Sequence, residues 1–494
     1  MKILKIYESS KDTKRRLASV SQNKRMAKNG KNLSCKISLD KTQTFQTIKG
    51  FGCAITESTG YVLSFLPEKK RKKVIESCFS QNENCNCYNF ARTHMNSCDF
   101  SLENWSCLPE KDESLESFSF ERTDKYITPA LKLAIQAFMQ SSQDSASNEK
   151  SEREAQVIVT PWSPPAWMKT NNDMNHGGKL KPEYKKLWAE YYVKFIKGLE
   201  ERGIKTSHVS IQNEPEASQT WDSCLWTGEE EADFSVKYLK PVLMNNNLKD
   251  VKILIWDHNR DRMLERLKES FSLPGAEEAI DGLAFHWYSG DQYENLAACS
   301  EILKNKELFF TEGCIEGGSR PGKWYVGERY GHNIINDLNN GCTAWIDWNM
   351  ALDIEGGPNH VGNNCDAPIL IDTKSKKILY QSSFYYMGHF SRFIQPLSKR
   401  IGCQITPFMT PATVDGRMGN TMETSAFIRP DGKIILVVMN RTEDDMIFEL
   451  NLQDCKEKDK NAKIEYNSKV GDENSERTFT CPPRSIQTYI IEDK

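Results

Sequence analysis

Between residues 50 and 350, short runs of β-branched, aromatic and aliphatic residues alternate with longer stretches in which apolar positions recur every three or four residues. The first pattern belongs to strands and the second to amphipathic helices, so the chain predicts repeated βα units on a parallel sheet. Eight strand runs can be placed: GFGCAIT (50–56), NFARTHM (89–95), QVIVTPW (156–162), HVSIQNE (208–214), VKILIWD (251–257), GLAFHWY (282–288), LFFTE (308–312) and TAWIDWN (343–349). Eight is the number that closes a (β/α)8 TIM barrel, so an α/β catalytic barrel is expected over 49–394. Between the third and fourth runs Tyr184, Leu187, Trp188, Tyr191, Phe195 and Leu199 recur at helical spacing, with Pro182 near the start and Gly203 after the end. That is an outer helix of the barrel. Lys69 to Lys73 read as a solvated helix face, and the polar, aperiodic stretch SSQDSASNEKSERE (141–154) as a mobile surface loop.

After about residue 395 the texture changes. SAFIRPDGKIILVVMNR places Pro430, Asp431 and Gly432 between two β-rich runs, a hairpin signal, and SIQTYIIE closes the chain as a further strand. A β-sandwich companion domain is expected over 395–494, with the segment 1–48, which includes CKISLD, contributing strands to it.

Composition narrows the function. The 494 residues are 38% apolar and include 11 Trp, 17 Tyr and 22 Phe, enough for a large core and an aromatic-lined cleft. With 65 basic and 68 acidic residues the formal charge is only -3, which disfavours nucleic acid and anionic membrane surfaces and suits a neutral substrate. The opening MKILKIYESSKDTKRR has neither a secretory h-region nor a spanning stretch, so a cytoplasmic protein without integral membrane association is expected. Fifteen cysteines, an odd number scattered through strands and helices, read as free thiols. Cys85 and Cys87 make only a C-x-C pair and the eight histidines show no metal-ligand spacing, so neither metal nor organic cofactor is expected.

Polar and aromatic residues gather at the C-terminal ends of the eight runs, where barrels place their sites: Glu57, Arg92, Trp162, Asn213 with Glu214, Asp257 with His258, His286 with Tyr288, Glu312, and Trp348 with Asn349. Solvent-facing strand ends would account for some of these, though less readily for the repeated Trp and Tyr. Glu214 in SIQNEP and Glu312 in LFFTEG each put a carboxylate on a rigid support, three βα units of roughly 30 residues apart, hence on strands four and seven. Two such carboxylates suit glycosidic cleavage, one protonating the leaving oxygen while the other attacks the anomeric carbon; retention calls for carboxyl groups ~5–5.5 Å apart. Taken singly, either glutamate could be a surface or ion-paired carboxylate. TPWSPPAWMKTN cannot continue a ladder and makes a rigid wall on which Trp162 can stack against a sugar, while Trp167 is as readily a core residue.

The motifs GFGCAITES, SCDFS, TPWSPPAWMKTN, IQNEP, FHWY, FFTEGC and DWNMALDIEGGPNHVGN resemble, in order and spacing, those of the glucosylceramidase-like glycoside hydrolases of family 30 in the clan of barrel glycosidases. The resemblance runs from about residue 45 to 400. It implies Glu214 as acid/base, Glu312 as nucleophile with retention, Asn213 on the sugar 2-hydroxyl, and a sugar pocket that includes Glu57, Arg92, Trp162, His286, Tyr288, Trp348 and Asn363. Arg92 could equally brace the carboxylates as an ion pair, and His286 could be a satisfied core histidine. Three features depart from the pattern: Glu57 stands in place of Asp, Cys53 in place of a Gly in G-F-G-G-A, and T-E-G-C in place of S-E-A-C. The resulting expectation is an exo-acting β-glucosidase for glucosylceramide-like or short β-gluco-oligosaccharide substrates. Its alternatives are a β-xylosidase or β-fucosidase, an endo-β-1,6-glucanase, and a non-catalytic carbohydrate-binding protein.

Overall fold

The structure is a computed structural model that describes residues 1–27, 33–143, 155–304, 306–407, 422–452 and 477–493. The chain divides into two compact units, Gly50–Lys323 with Asn340–Gln381, and Met1–Lys49 with Trp324–Asn339 and Ser382–Lys494.

In the first unit all eight expected runs are strands: Gly50–Ala54, Phe90–Met95, Gln156–Pro161, Thr206–Ser210, Lys252–Asn259, Gly282–His286, Glu307–Glu312 and Ala344–Asn349. They close into one barrel. Every pairing is parallel, and Ala344 opposite Gly50 seals the ring. The interior is packed by Phe90, Ile158, Leu254, Ala284, Phe309, Ala344 and Ile346, so the barrel is a core and not a pore. A Cβ on Gly52 would fall 2.1 Å from the Phe90 carbonyl oxygen, so the first two strands approach at a distance only glycine permits. At the N-terminal strand ends Glu307 bonds His208 Nε2 at 2.7 Å and also pairs with Lys252, tying strands seven, four and five together.

The predicted outer helix is Lys185–Glu201, burying Leu187, Trp188, Tyr191, Tyr192, Phe195, Ile196 and Leu199. Gly203 follows with φ 75°, the left-handed conformation that glycine adopts freely after a helix end. The lysine run lies in helix Glu68–Phe79 and faces solvent, while Val74, Ile75, Cys78 and Phe79 face inward. Of the expected polar loop 141–154, the first residues extend the helix Glu121–Gln143 and the remainder lies outside the described residues.

The second unit is built on a nine-stranded sheet. Lys2–Ser10, Ala18–Val20 and Cys35–Thr47 from the N-terminal segment join Lys399–Thr406, Met422–Ile428, Ile434–Asn440, Met446–Leu452, Thr478–Cys481 and Ser485–Glu492. The Pro430–Gly432 hairpin forms as expected, with Met422–Ile428 antiparallel to Ile434–Asn440. Every residue of Ile434–Asn440 is buried, so this strand is covered on both faces. Ile37, Leu39, Leu436, Val438, Phe448, Phe479 and Tyr489 form the core. Two helices that sequence order alone assigns to the barrel region, Trp324–Asn339 and Ser382–Ser391, group by contacts with this unit.

Candidate active site

The fourth strand stops at Ser210, four residues short of Glu214. Beyond it the backbone is steered across to its neighbours: Asn213 N–H donates to Pro161 O and Glu214 N–H to Asp257 O. Glu214 and Asp257 both have φ 47° and Trp256 has φ 73°. Non-glycine residues in the left-handed region cost on the order of 1–3 kcal/mol each, and here the cost accompanies the aiming of two carboxylates. The seventh strand, by contrast, carries Glu312 as its last residue.

These side chains meet around Arg92. From strand two, its guanidinium donates to Glu312 Oε2 at 2.6 Å, to Asn213 Oδ1 at 2.8 Å, to Asp257 Oδ2 at 3.0 Å and to Thr160 Oγ1 at 3.3 Å. It lies 4.8 Å from the Trp162 ring centroid and 5.4 Å from that of Trp348, and the two indoles stack at 5.3 Å. Glu312 accepts a second bond from Tyr288 Oη at 3.1 Å. His286 bridges Glu214 Oε1 at 3.2 Å and Asp257 Oδ1 at 3.1 Å, and Thr311 Oγ1 donates to Asp257 at 2.5 Å.

The charges shape one another. Burial opposes ionisation of Asp257, but Arg92, His286 and Thr311 outweigh it and hold the carboxyl well below the usual range. Burial disfavours protonated His286, yet Glu312, Asp257 and Glu214 around it push its pKa up to about 9. Burial raises Glu214, but His258 and His286 reverse that and leave it below its ordinary value; Glu312 stays above its own because burial and the Glu214 charge outweigh His286 and Arg92.

A cavity of about 160 Å³ opens over this network, lined by both glutamates, Asn213, Trp162, Trp348, Tyr288 and Asn363. Arg92 and His286 are fully buried and lie outside the lining of the cavity, bonded to the carboxylates. Glu57 is not brought to the cavity. It begins helix Glu57–Ser64, and its carboxylate is taken by Trp105 Nε1 at 2.9 Å, Leu102 N at 3.2 Å and Arg122 at 3.1 Å. The longer glutamate side chain is thus absorbed in a buried ion pair.

Several lining residues were not singled out from sequence. Asp99, in the SCDFS motif, accepts from Asn359 Nδ2 at 3.1 Å and Asn363 Nδ2 at 3.4 Å, and burial with the charge of Glu312 pushes its pKa up to about 7. Gln219, Trp221 and Glu316 enter from the loops after strands four and seven. Asp257 and His258 were visible as strand-end residues, but only the fold shows Asp257 at the centre of the network. Cys314 lines the cavity with its Sγ 3.4 Å from Tyr288 Oη, whereas Cys53 is buried in the first strand. A Cβ on Gly313 would sit 2.5 Å from Phe310 Cζ and 2.7 Å from Trp287 Cε2, which gives T-E-G-C its physical reason. Two histidines without local metal spacing, His258 and His286, come together in space with Glu214, and the three ligand atoms lie within 4.8 Å of one another.

The chain matches the glycosyl hydrolase family 30 TIM-barrel domain over residues 48–394 and the beta sandwich domain of that family over 398–489. It is 33% identical to the lysosomal acid glucosylceramidase of Mus musculus over 427 residues, covering 83% of this chain and 78% of the relative. The crystal structure of SrfJ from Salmonella typhimurium superposes with a TM-score of 0.84 at 30% identity, covering 99% of each chain. That of the endo-beta1,6-glucanase BT3312 gives 0.78 at 26% identity, again over 99% of each. A parallel barrel with two glutamates lining one cavity and these likenesses together define a glycoside hydrolase. The chain belongs to glycosyl hydrolase family 30, as its motifs led one to expect. No helix among the described residues is long and apolar enough to cross a membrane.

Proposed function

We propose that this chain is a retaining, exo-acting β-glycosidase with a preference for β-glucosides. The observation that carries the reading is that Glu214 and Glu312 face one cavity with unlike partners: Arg92 and Tyr288 both donate to Glu312, while Glu214 is held by a histidine that can either give or accept a proton. A carboxylate that receives two donors is organised as an anion. In the first step the Glu312 carboxylate attacks the anomeric carbon, the glycosidic C–O bond breaks, and the departing oxygen takes the Glu214 proton. In the second, Glu214 removes a proton from water, whose oxygen displaces Glu312 and restores both groups.

In the unliganded cleft burial and the Glu214 charge hold Glu312 above its ordinary value while His258 and His286 hold Glu214 below its own, the reverse of these roles. The donors around Glu312 weigh more for the assignment, because they fix which oxygen can carry charge as the sugar bond breaks.

The cavity volume, about 160 Å³, lies below the roughly 300–1,000 Å³ of drug-sized sites, in keeping with a small ligand. Asn213 beside Glu214, stacked Trp162 and Trp348, Tyr288, Asn363 and Asp99 supply the hydrogen bonds and the apolar floor that a sugar needs. The likeness to the glucosylceramidase supports a β-glucoside; that to the endo-beta1,6-glucanase keeps endo cleavage as the competing reading. On a panel of nitrophenyl glycosides the β-glucoside is expected to give the highest kcat/KM, and a tenfold preference for the xyloside would reverse the sugar assignment. Azide rescue decides the roles. Glu214→Ala with azide should release the β-glycosyl azide and Glu312→Ala the α-anomer; the opposite pattern exchanges the two glutamates.

A further inference from the structure

We propose that Glu214, His258 and His286 form a binding site for one divalent transition-metal ion, with zinc the best fit, and that its occupation switches the enzyme off. Glu214 Oε1 lies 3.2 Å from His286 Nδ1 and 3.6 Å from His258 Nδ1, and all three ligand atoms fall within 4.8 Å of one another. Tetrahedral zinc with bonds of ~2.0–2.1 Å places neighbouring ligand atoms about 3.3–3.4 Å apart, and the two measured distances straddle that value.

Three further features point to a ligand. His258 Nδ1 is buried and has no hydrogen-bond partner among the described residues; at 3.6 Å its approach to Glu214 is too long for one. An imidazole nitrogen left bare and aimed at a carboxylate is what an incoming cation would satisfy. His286 presents Nδ1 to the site while Nε2 is bonded to Asp257, itself anchored by Arg92 and Thr311. This is the carboxylate–histidine arrangement that orients metal-ligating imidazoles. The Glu214 carboxylate supplies negative charge beside the two imidazoles, while Arg92 is taken up by Asp257 and Glu312.

Two imidazoles and one carboxylate select a borderline metal such as zinc over calcium or magnesium, which take all-oxygen shells. Glu214 and His258 line the cavity, so an ion can enter from it and keep a position open for water. A metal on Glu214 Oε1 occupies the oxygen that exchanges the proton, which blocks both steps. The inhibitory consequence rests on the acid/base role proposed above, whereas the binding does not.

The test uses the full chain, stripped of metal by a chelator that is then dialysed away. Calorimetric titration with zinc chloride should show one equivalent bound at micromolar or tighter affinity, magnesium chloride should show none, and zinc should inhibit β-glucoside hydrolysis with a matching constant, reversibly on adding chelator. His258→Gln and Glu214→Gln should each weaken zinc binding by about 10- to 100-fold, with melting curves and His258→Asn guarding against misfolding. Absence of zinc binding, or binding that both variants leave intact, as capture by the cysteines would give, overturns the site. Binding that depends on these residues without inhibition keeps the site and overturns the acid/base role of Glu214.

Discussion

Arg92 bonds Glu312, Asn213 and Asp257 from a position with no solvent exposure, so its planar fork sets the spacing of three side chains at once. Lysine offers one point charge on a flexible stem and cannot reproduce that geometry. Arg92→Lys is expected to lower kcat/KM by about 100-fold or more, as with loss of a preorganised donor, chiefly in kcat, and to lower the melting temperature. Gly313 makes a second claim at this scale: Gly313→Ala should destabilise the protein by about 1–3 kcal/mol, because the added methyl must displace Phe310 or Trp287. Chemical denaturation measures it, and an unchanged midpoint would show that Phe310 and Trp287 yield. Asp99, with Asn359 and Asn363 upon it, is expected to meet the sugar; Asp99→Ala should cut kcat/KM by about 10- to 100-fold while the fold persists.

At the scale of elements, the two ends of the barrel divide the work. The C-terminal ends carry the strained, carboxylate-bearing backbone of Glu214 and Asp257, while the N-terminal ends carry Glu307, which locks strand seven to His208 of strand four and Lys252 of strand five. Burial opposes the Glu307 charge, but His208 and Lys252 outweigh it and lower its pKa from 4.5 to about 2. The stabilisation is therefore complete above the ordinary carboxyl range and is lost as pH falls toward 2. Glu307→Gln should cost on the order of 3 kcal/mol at neutral pH, and the gap from the unsubstituted protein should close progressively below pH ~4.5. Urea midpoints at pH 7, 5 and 3 would show it; a gap independent of pH would remove the ion pair from the account.

At the scale of the molecule, the sheet unit has a buried polar anchor of its own. Glu423, from the strand beginning at Met422, accepts from His332 at 2.7 Å and Asn336 at 2.9 Å and pairs with Arg441 at 2.5 Å. Glu423→Ala removes the buried carboxylate on which His332, Asn336 and Arg441 converge and should cost about 3–5 kcal/mol. Differential scanning calorimetry would register it, and a loss under 1 kcal/mol would mean that water repairs the gap.

The sequence by itself determined the barrel, the sheet companion and the outer helix, because these follow from local period, and it offered both glutamates as candidates from residue types placed at strand ends. Its seven motifs also carried the family. What only the tertiary structure decided is which polar groups meet. Glu57 reads as a pocket residue until Arg122 and Trp105, distant in sequence, claim its carboxylate. Asp257 becomes the hub joining Arg92, His286 and Thr311, and His258 joins His286 and Glu214 in a ligand set no local spacing announces. Periodicity is written along the chain and can be read there. Hydrogen bonds and ion pairs between strands are fixed by closure of the barrel, which sets side chains from strands two, five, six and seven a few ångströms apart.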